Sequence, residues 1–178
     1  LRAAEISSEE LSNKDNSIGE AIFKSCKNCV IQLDSNYNLG ILLLCAPLIK
    51  VCLDGFYSLT DLKNKLFQKL DSVNTYDSDL IFEAIKLCNP GGLNNYDGQG
   101  NLLRKKNDNL NFKKLIEISS SWDRISMAYF NNYQEIFNLG LPLFRKLKKK
   151  FSTNYSIQCL YINYLALIYS LVNCKLNS

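Results

Sequence analysis

Asn36-Tyr37-Asn38-Leu39-Gly40 leads directly into an almost wholly apolar stretch, Ile41 to Leu53, so two carboxamides and a glycine stand where a buried helix begins. The first N–H groups of a helix have no partner within it, and the helix dipole favours negative charge beside them. Asn36, Asn38 and Gly40 are therefore candidates to hold a phosphate. Asn38 fits equally the duty of an ordinary N-cap, which satisfies a backbone donor and nothing more. A second pair, Gly91-Gly92, follows Asn89-Pro90. There it can close a helix or shape an anion-binding nest.

The chain has no histidine, so proton transfer would fall mainly to carboxylates. Asp77 to Cys88 is apolar nearly all round except for Asp79, Glu83 and Lys86, which form one polar stripe at i, i+4 and i+7. As a surface pair, Glu83 and Lys86 contribute only about 0.3 kcal/mol. As the wall of a cleft, Glu83 is a functional carboxylate. Asp77 fits a helix cap. Asp123 stands beside Arg124 at the flank of an apolar seam.

Seven cysteines raise a metal or redox reading, and Cys26-Lys27-Asn28-Cys29 has the spacing of half a zinc site. No second Cys-x-x-Cys pair exists to complete it. Cys45, Cys52, Cys88 and Cys159 lie in apolar segments, where a thiol acts as a small hydrophobe. Reduced, buried thiols imply a cytoplasmic setting. The net charge of +4 owes much to Arg145 to Lys150, basic at every position but Leu147. Without interleaved aromatics, that run reads as a solvated helix end rather than a nucleic-acid site.

These residues need a scaffold, and 178 residues with 47% hydrophobic content suffice for one domain with a real core. Ser17-Ile18-Gly19-Glu20 is a capping box that opens a helix with Ile22, Phe23, Cys26, Val30 and Leu33 on one side. The apolar helix from Leu39 closes at Gly55. Ser58 to Asp61 starts another, with Leu59, Leu62, Leu66, Leu70 and Val73 as its inward seam. A polar loop follows Asn89-Pro90-Gly91-Gly92 to about Asn109, a length uncommon in compact domains. From Asn111 one long helix is expected, carrying Leu115, Ile118, Trp122, Ile125 and Tyr129 inward and ending at Gly140 and Pro142. A last helix is expected from Tyr155 to about Cys174. No alternating strand pattern occurs, so the expectation is an all-α, single-domain bundle of about seven helices spanning 1–178, with the helix from Leu39 buried at its centre. The apolar runs fall short of the ~20 residues a membrane-spanning helix needs. The chain begins at Leu1 rather than Met, as a fragment would.

Taken in order, several segments resemble the triphosphoribosyl-dephospho-CoA synthase family, especially its shorter branch associated with methanopterin-type cofactor genes. Gly19-Glu20-Ala21-Ile22 is similar to that branch's Gly-Glu-Ala-Ile helix start. Asn36 to Leu48 resembles its Asn-Thr-Asn-Leu-Gly helix ending in Ala-Pro-Leu. Phe82-Glu83-Ala84-Ile85-Lys86-Leu87-Cys88-Asn89-Pro90-Gly91-Gly92-Leu93 resembles its Tyr-Glu-Ala-Ile-Arg-Leu-Ala-x-Pro-Gly-Gly-Leu, and Trp122-Asp123-Arg124-Ile125-Ser126 its Arg-Asp-x-Ile-Ala. The matches keep their order from about residue 17 to 142. The chain departs from the family in lacking an N-terminal Lys-Pro-Gly and the C-terminal part. Leu39 stands where the citrate-lyase branch has lysine, Trp122 replaces an arginine, and Tyr169 and Cys174 stand where an aspartate and an arginine would be.

The resemblance implies that a ribose hydroxyl of dephospho-CoA, or of a related cofactor precursor, attacks the anomeric carbon of ATP and releases adenine. Magnesium would accompany the triphosphate, while carboxylates stabilise a developing oxocarbenium ion and take the hydroxyl proton. On this reading Asn36, Asn38, Gly40, Gly91 and Gly92 bind phosphate. Asp123 and Glu83 are catalytic, Asp123 or Asp77 contacts metal, and Asp97 is a weaker candidate. The alternative is a non-catalytic nucleotide-binding or accessory relative.

Overall fold

A computed structural model describes residues 2–35, 38–91 and 111–154, and their regular structure is all helical, with no strand among them. They gather into two compact units, residues 1–132 and 133–178. The first contains α1 (Arg2–Ser12), α2 (Ile18–Leu33), α3 (Leu39–Asp54), α4 (Leu59–Asp71), α5 (Thr75–Cys88), α6 (Phe112–Ser119) and α7 (Arg124–Phe130). In the second, a π-helical turn at Ile136–Gly140 runs into α8 (Leu141–Lys148). The expected helix from Tyr155 lies outside the described residues, as do Tyr169 and Cys174.

α2 opens as its sequence requires. Ser17 Oγ accepts the Glu20 N–H at 3.2 Å, and Glu20 Oε2 accepts the Ser17 N–H at 2.9 Å, so the capping box is complete. The hydrogen bond from the Ser17 backbone holds the Glu20 carboxyl below its ordinary value. α2 packs on α1, α3 and α5, and contributes Ala21, Ile22, Cys26 and Cys29 to the core. Across from it α5 buries Ile81, Ala84 and Cys88. Cys26 hydrogen-bonds Cys88, and that bond together with burial pushes the Cys26 thiol up. Cys26 and Cys29 thus face two neighbours: Cys29 Sγ lies 3.4 Å from Ser7 Oγ on α1. No cluster able to hold a metal occurs among the described residues. Cys52, expected inside, is exposed.

α3 meets α1, α2, α4, α5 and α7, and buries Leu39, Leu42, Leu43, Ala46, Pro47, Lys50 and Val51. Its apolarity is not matched by burial all round, since Ile41 remains exposed. Among the described residues no single helix is long and apolar enough to cross a membrane. Pro47 lies inside α3 and has no N–H, so the carbonyl of Leu43 loses its intrahelical donor. Tyr129 of α7 supplies the substitute, its hydroxyl donating to Leu43 O at 2.6 Å in a buried position. Phe112 of α6 stacks edge-on to the same ring, with centroids 5.4 Å apart. Tyr129→Phe should therefore lower stability by about 1–2 kcal/mol, because it orphans a buried carbonyl. In a Pro47→Ala background the helix regains its own donor, so the same substitution should cost much less in urea denaturation. Equal losses in both backgrounds would show that the bond does not compensate for the proline.

The long helix expected from Asn111 is instead broken in two. Ser119-Ser120-Ser121 interrupts it: Ser119 Oγ turns back to Leu115 O at 2.7 Å, and Asp123 starts a new helix. Serines and aspartate compete for backbone partners in this way and favour helix ends over interiors. Trp122, expected in the seam, falls in the break and is 55% exposed. A further departure follows α7, where Asn132 and Tyr133 both take left-handed backbone conformations. Pro142 then sits in the first turn of α8, where proline is tolerated, and begins a helix rather than ending one. Arg145, Lys146 and Lys148 occupy the last turn of α8, as the dipole favours.

Candidate functional site

The carboxamide at the start of α3 does not cap its own helix. Asn38 Nδ2 donates to Ser7 Oγ at 2.8 Å and approaches Ala3 O at 3.4 Å, which ties the start of α3 to α1. The side chain makes no hydrogen bond to the amides of the first turn of α3. Asn36, its sequence neighbour in the motif, lies outside the described residues, as do Gly92 and Asp97. Gly91 is exposed just beyond α5, with open space where a Cβ would stand.

Gly40 is the point of contact with α7. A Cβ built there would lie 3.4 Å from Ile125 Cδ1, so the first turns of α3 and α7 meet. Asp123 is the N-cap of α7, two residues before Ile125. Its Oδ2 accepts the Ser126 N–H at 2.7 Å and the Ser126 hydroxyl at 2.6 Å. Ser119 Oγ, 2.7 Å from Ser126 Oγ, extends the network into α6. The fold thereby brings a half-buried carboxylate and the amino ends of two helices into one neighbourhood.

Glu83 and Asp77 do not share one face of α5. Six residues apart on α5, they point about 120° from one another. Glu83 has a side chain 60% exposed and pairs with Lys86 at 3.3 Å, the surface arrangement. Asp77 is buried and serves another helix than its own. Asn74 caps α5, while Asp77 Oδ1 accepts the Gly19 N–H of α2 at 2.8 Å. Only glycine permits this approach, since a Cβ on residue 19 would lie 2.6 Å from Asp77 Cα and from Asp77 O.

Beside Asp77 opens a cleft of about 170 Å³ that the sequence motifs did not indicate. Lys14, Lys50 and Lys69 line it together with Ser17, Asp54 and Asp77. Lys50 is only 5% exposed. Its one signal in the sequence is that it is the lone charge in the apolar stretch from Ile41 to Leu53.

The family model described as ATP:dephospho-CoA triphosphoribosyl transferase matches residues 1–168, a span that takes in α1 to α8. Comparison with curated proteins and with solved structures gives no match. The ordered motifs at Gly19, Asn38, Pro90 and Asp123 lie within that match, on an all-helical scaffold that sets the start of α3 against the start of α7. With most of the chain so covered, it belongs to the ATP:dephospho-CoA triphosphoribosyl transferase family.

Proposed function

We propose that the chain moves the triphosphoribosyl group of ATP to a ribose hydroxyl of dephospho-CoA or a close cofactor precursor. The hydroxyl oxygen bonds to the anomeric carbon, the bond from that carbon to adenine N9 breaks, and adenine leaves with a proton. The triphosphate is seated at the amino end of α3, by Asn36, Gly40 and the backbone beside Asn38, with Gly91 and Gly92 as a second cradle. Asp123, at the adjoining start of α7, stabilises the positive charge that develops on the ribose and takes the hydroxyl proton. The observation that supports this most is the contact of Gly40 with Ile125, which brings the start of α3 to the start of α7.

Magnesium fits as a companion of ATP rather than as a resident ion. Its usual manner of binding is one or two carboxylates plus substrate phosphates, and Asp123 offers one carboxylate with both of its hydrogen bonds on Oδ2. When bound, the ion would neutralise phosphate charge. Asp77, engaged by the Gly19 amide, is the poorer of the two metal candidates.

The test is chromatographic detection of adenine after incubation with ATP, magnesium and dephospho-CoA. Adenine that appears only with all components supports transfer; ATP binding without adenine would favour the accessory reading. Gly40→Asp tests the seat. A carboxylate in the first turn suits the helix dipole but repels phosphate, and a thermal melt checks that the variant folds despite the Ile125 contact at this position. ATP affinity should fall about tenfold or more. Unchanged affinity in the folded variant would move the triphosphate elsewhere.

A further inference from the structure

The Lys50 cleft lies well away from the proposed triphosphate seat. Gly40 and Lys50 are ten residues apart on α3, which is about 15 Å along the helix. We infer that this cleft is a second anion site, which takes the phosphate group of a small phosphate or phosphate ester between Lys14, Lys50 and Lys69.

The charges lining the cleft are unequal. Lys69 Nζ holds the Asp54 carboxylate at 2.7 Å, and Asp77 is held by the Gly19 amide. The Lys50 ammonium donates to the Asn13 carbonyl and feels Asp54, Glu20 and Asp15 only through space. An ammonium has three donors, so a side chain buried to this degree keeps donors for a ligand. Desolvation, followed by repulsion from Lys69, holds the Lys50 amine below its ordinary value against the attraction of Asp54, Glu20 and Asp15, and a bound anion would add to that attraction. The cleft's volume of about 170 Å³ is below the roughly 300 Å³ of pockets that enclose drug-sized ligands, so it takes a group rather than a whole nucleotide.

Inorganic phosphate titrated into the full chain, followed by calorimetry, tests the assignment. Carrying Gly40→Asp in every sample removes phosphate binding at α3, so this result stands apart from the fate of the catalytic reading. Saturable binding is expected, weakened at least tenfold by Lys50→Gln and about threefold by Lys14→Gln. Lys14 is exposed, so its replacement leaves the fold intact and decides the matter if Lys50→Gln fails to fold. Ribose 5-phosphate, compared with inorganic phosphate, separates the two sources. Tighter binding of the ester identifies an esterified phosphate as the ligand, and tighter binding of the free ion identifies phosphate itself. Absence of saturable binding, or affinity that ignores both lysine substitutions, overturns the inference.

Discussion

Asp123→Asn is expected to lower adenine release by about 10²- to 10³-fold while moving Tm by no more than about 2 °C. Asparagine is as good an N-cap as aspartate, and its carbonyl oxygen still accepts the Ser126 N–H. What it loses is the negative charge beside the ribose and the ability to accept a proton. The conservative variant therefore separates the capping that geometry gives to this residue from the catalytic duty proposed for it. Asp123→Ala would confound them, because loss of the cap alone costs about 1 kcal/mol and frees the start of α7 that rests on Gly40. Turnover and a thermal melt on the same preparation check the expectation. An Asp123→Asn enzyme that turns over at the unmodified rate would make Asp123 a cap and nothing else, and would return attention to Glu83 despite its exposure.

The all-helical fold was legible because its punctuation is local. Ser17 and Glu20 form their capping box, Gly55 closes α3, and Ser58 opens α4, each through bonds to neighbours within four residues. Such signals survive in a linear reading. The inward seam of α4 was legible too: Leu66 and Leu70 are buried and Leu59 and Leu62 half-buried, while Val73, also buried, falls just past the end of the helix. The break between α6 and α7 was missed because the spacing of Leu115, Ile118, Trp122, Ile125 and Tyr129 is helical, and periodicity outweighed the serine run. Local polar competition prevailed over the pattern. α1 was missed for a different reason. With Ile6 and Ser7 as its buried residues, it carries little apolar signal, and it is held by neighbours distant in sequence, such as Asn38 and Cys29.

Candidate residues could be named from the sequence, but their bonding could not. Sequence placed Asn38 at a helix start, where capping and phosphate binding looked alike. The structure gives its amide to Ser7, a partner thirty-one positions away that no local rule selects. Asp77 shows the same limit. Its position near the start of α5 suggested a cap, yet the cap of α5 is Asn74 and Asp77 serves α2 across a gap of 58 residues. Lys50 was hidden by its surroundings, because an apolar stretch is scored by its hydrophobes and the single charge within it looks like noise.

The pairing of Asp77 with Gly19 carries the second large expectation. Gly19→Ala should destabilise the chain by about 3 kcal/mol, a loss of roughly 6–12 °C in Tm. On an open helix surface the same change would stabilise by about 0.5–1 kcal/mol, since alanine restricts the unfolded backbone and favours helix. Here the added methyl meets Asp77 Cα and O at 2.6 Å and Oδ1 at 2.9 Å. Two of those atoms belong to the backbone of α5 and cannot rotate away, so the two helices must separate at their amino ends. Separation also breaks the 2.8 Å bond from the Gly19 amide to Asp77, leaving a buried carboxylate short of a donor. The strain and the lost bond share one cause, so a double variant should reveal it. If the helices have already parted in Gly19→Ala, adding Asp77→Ala should cost far less than it does alone. Strict additivity, or a Gly19→Ala protein as stable as its parent, would mean that α2 and α5 do not approach so closely. Since Asp77 also borders the Lys50 cleft, the same parting should weaken phosphate there while leaving ATP at the start of α3 unaffected.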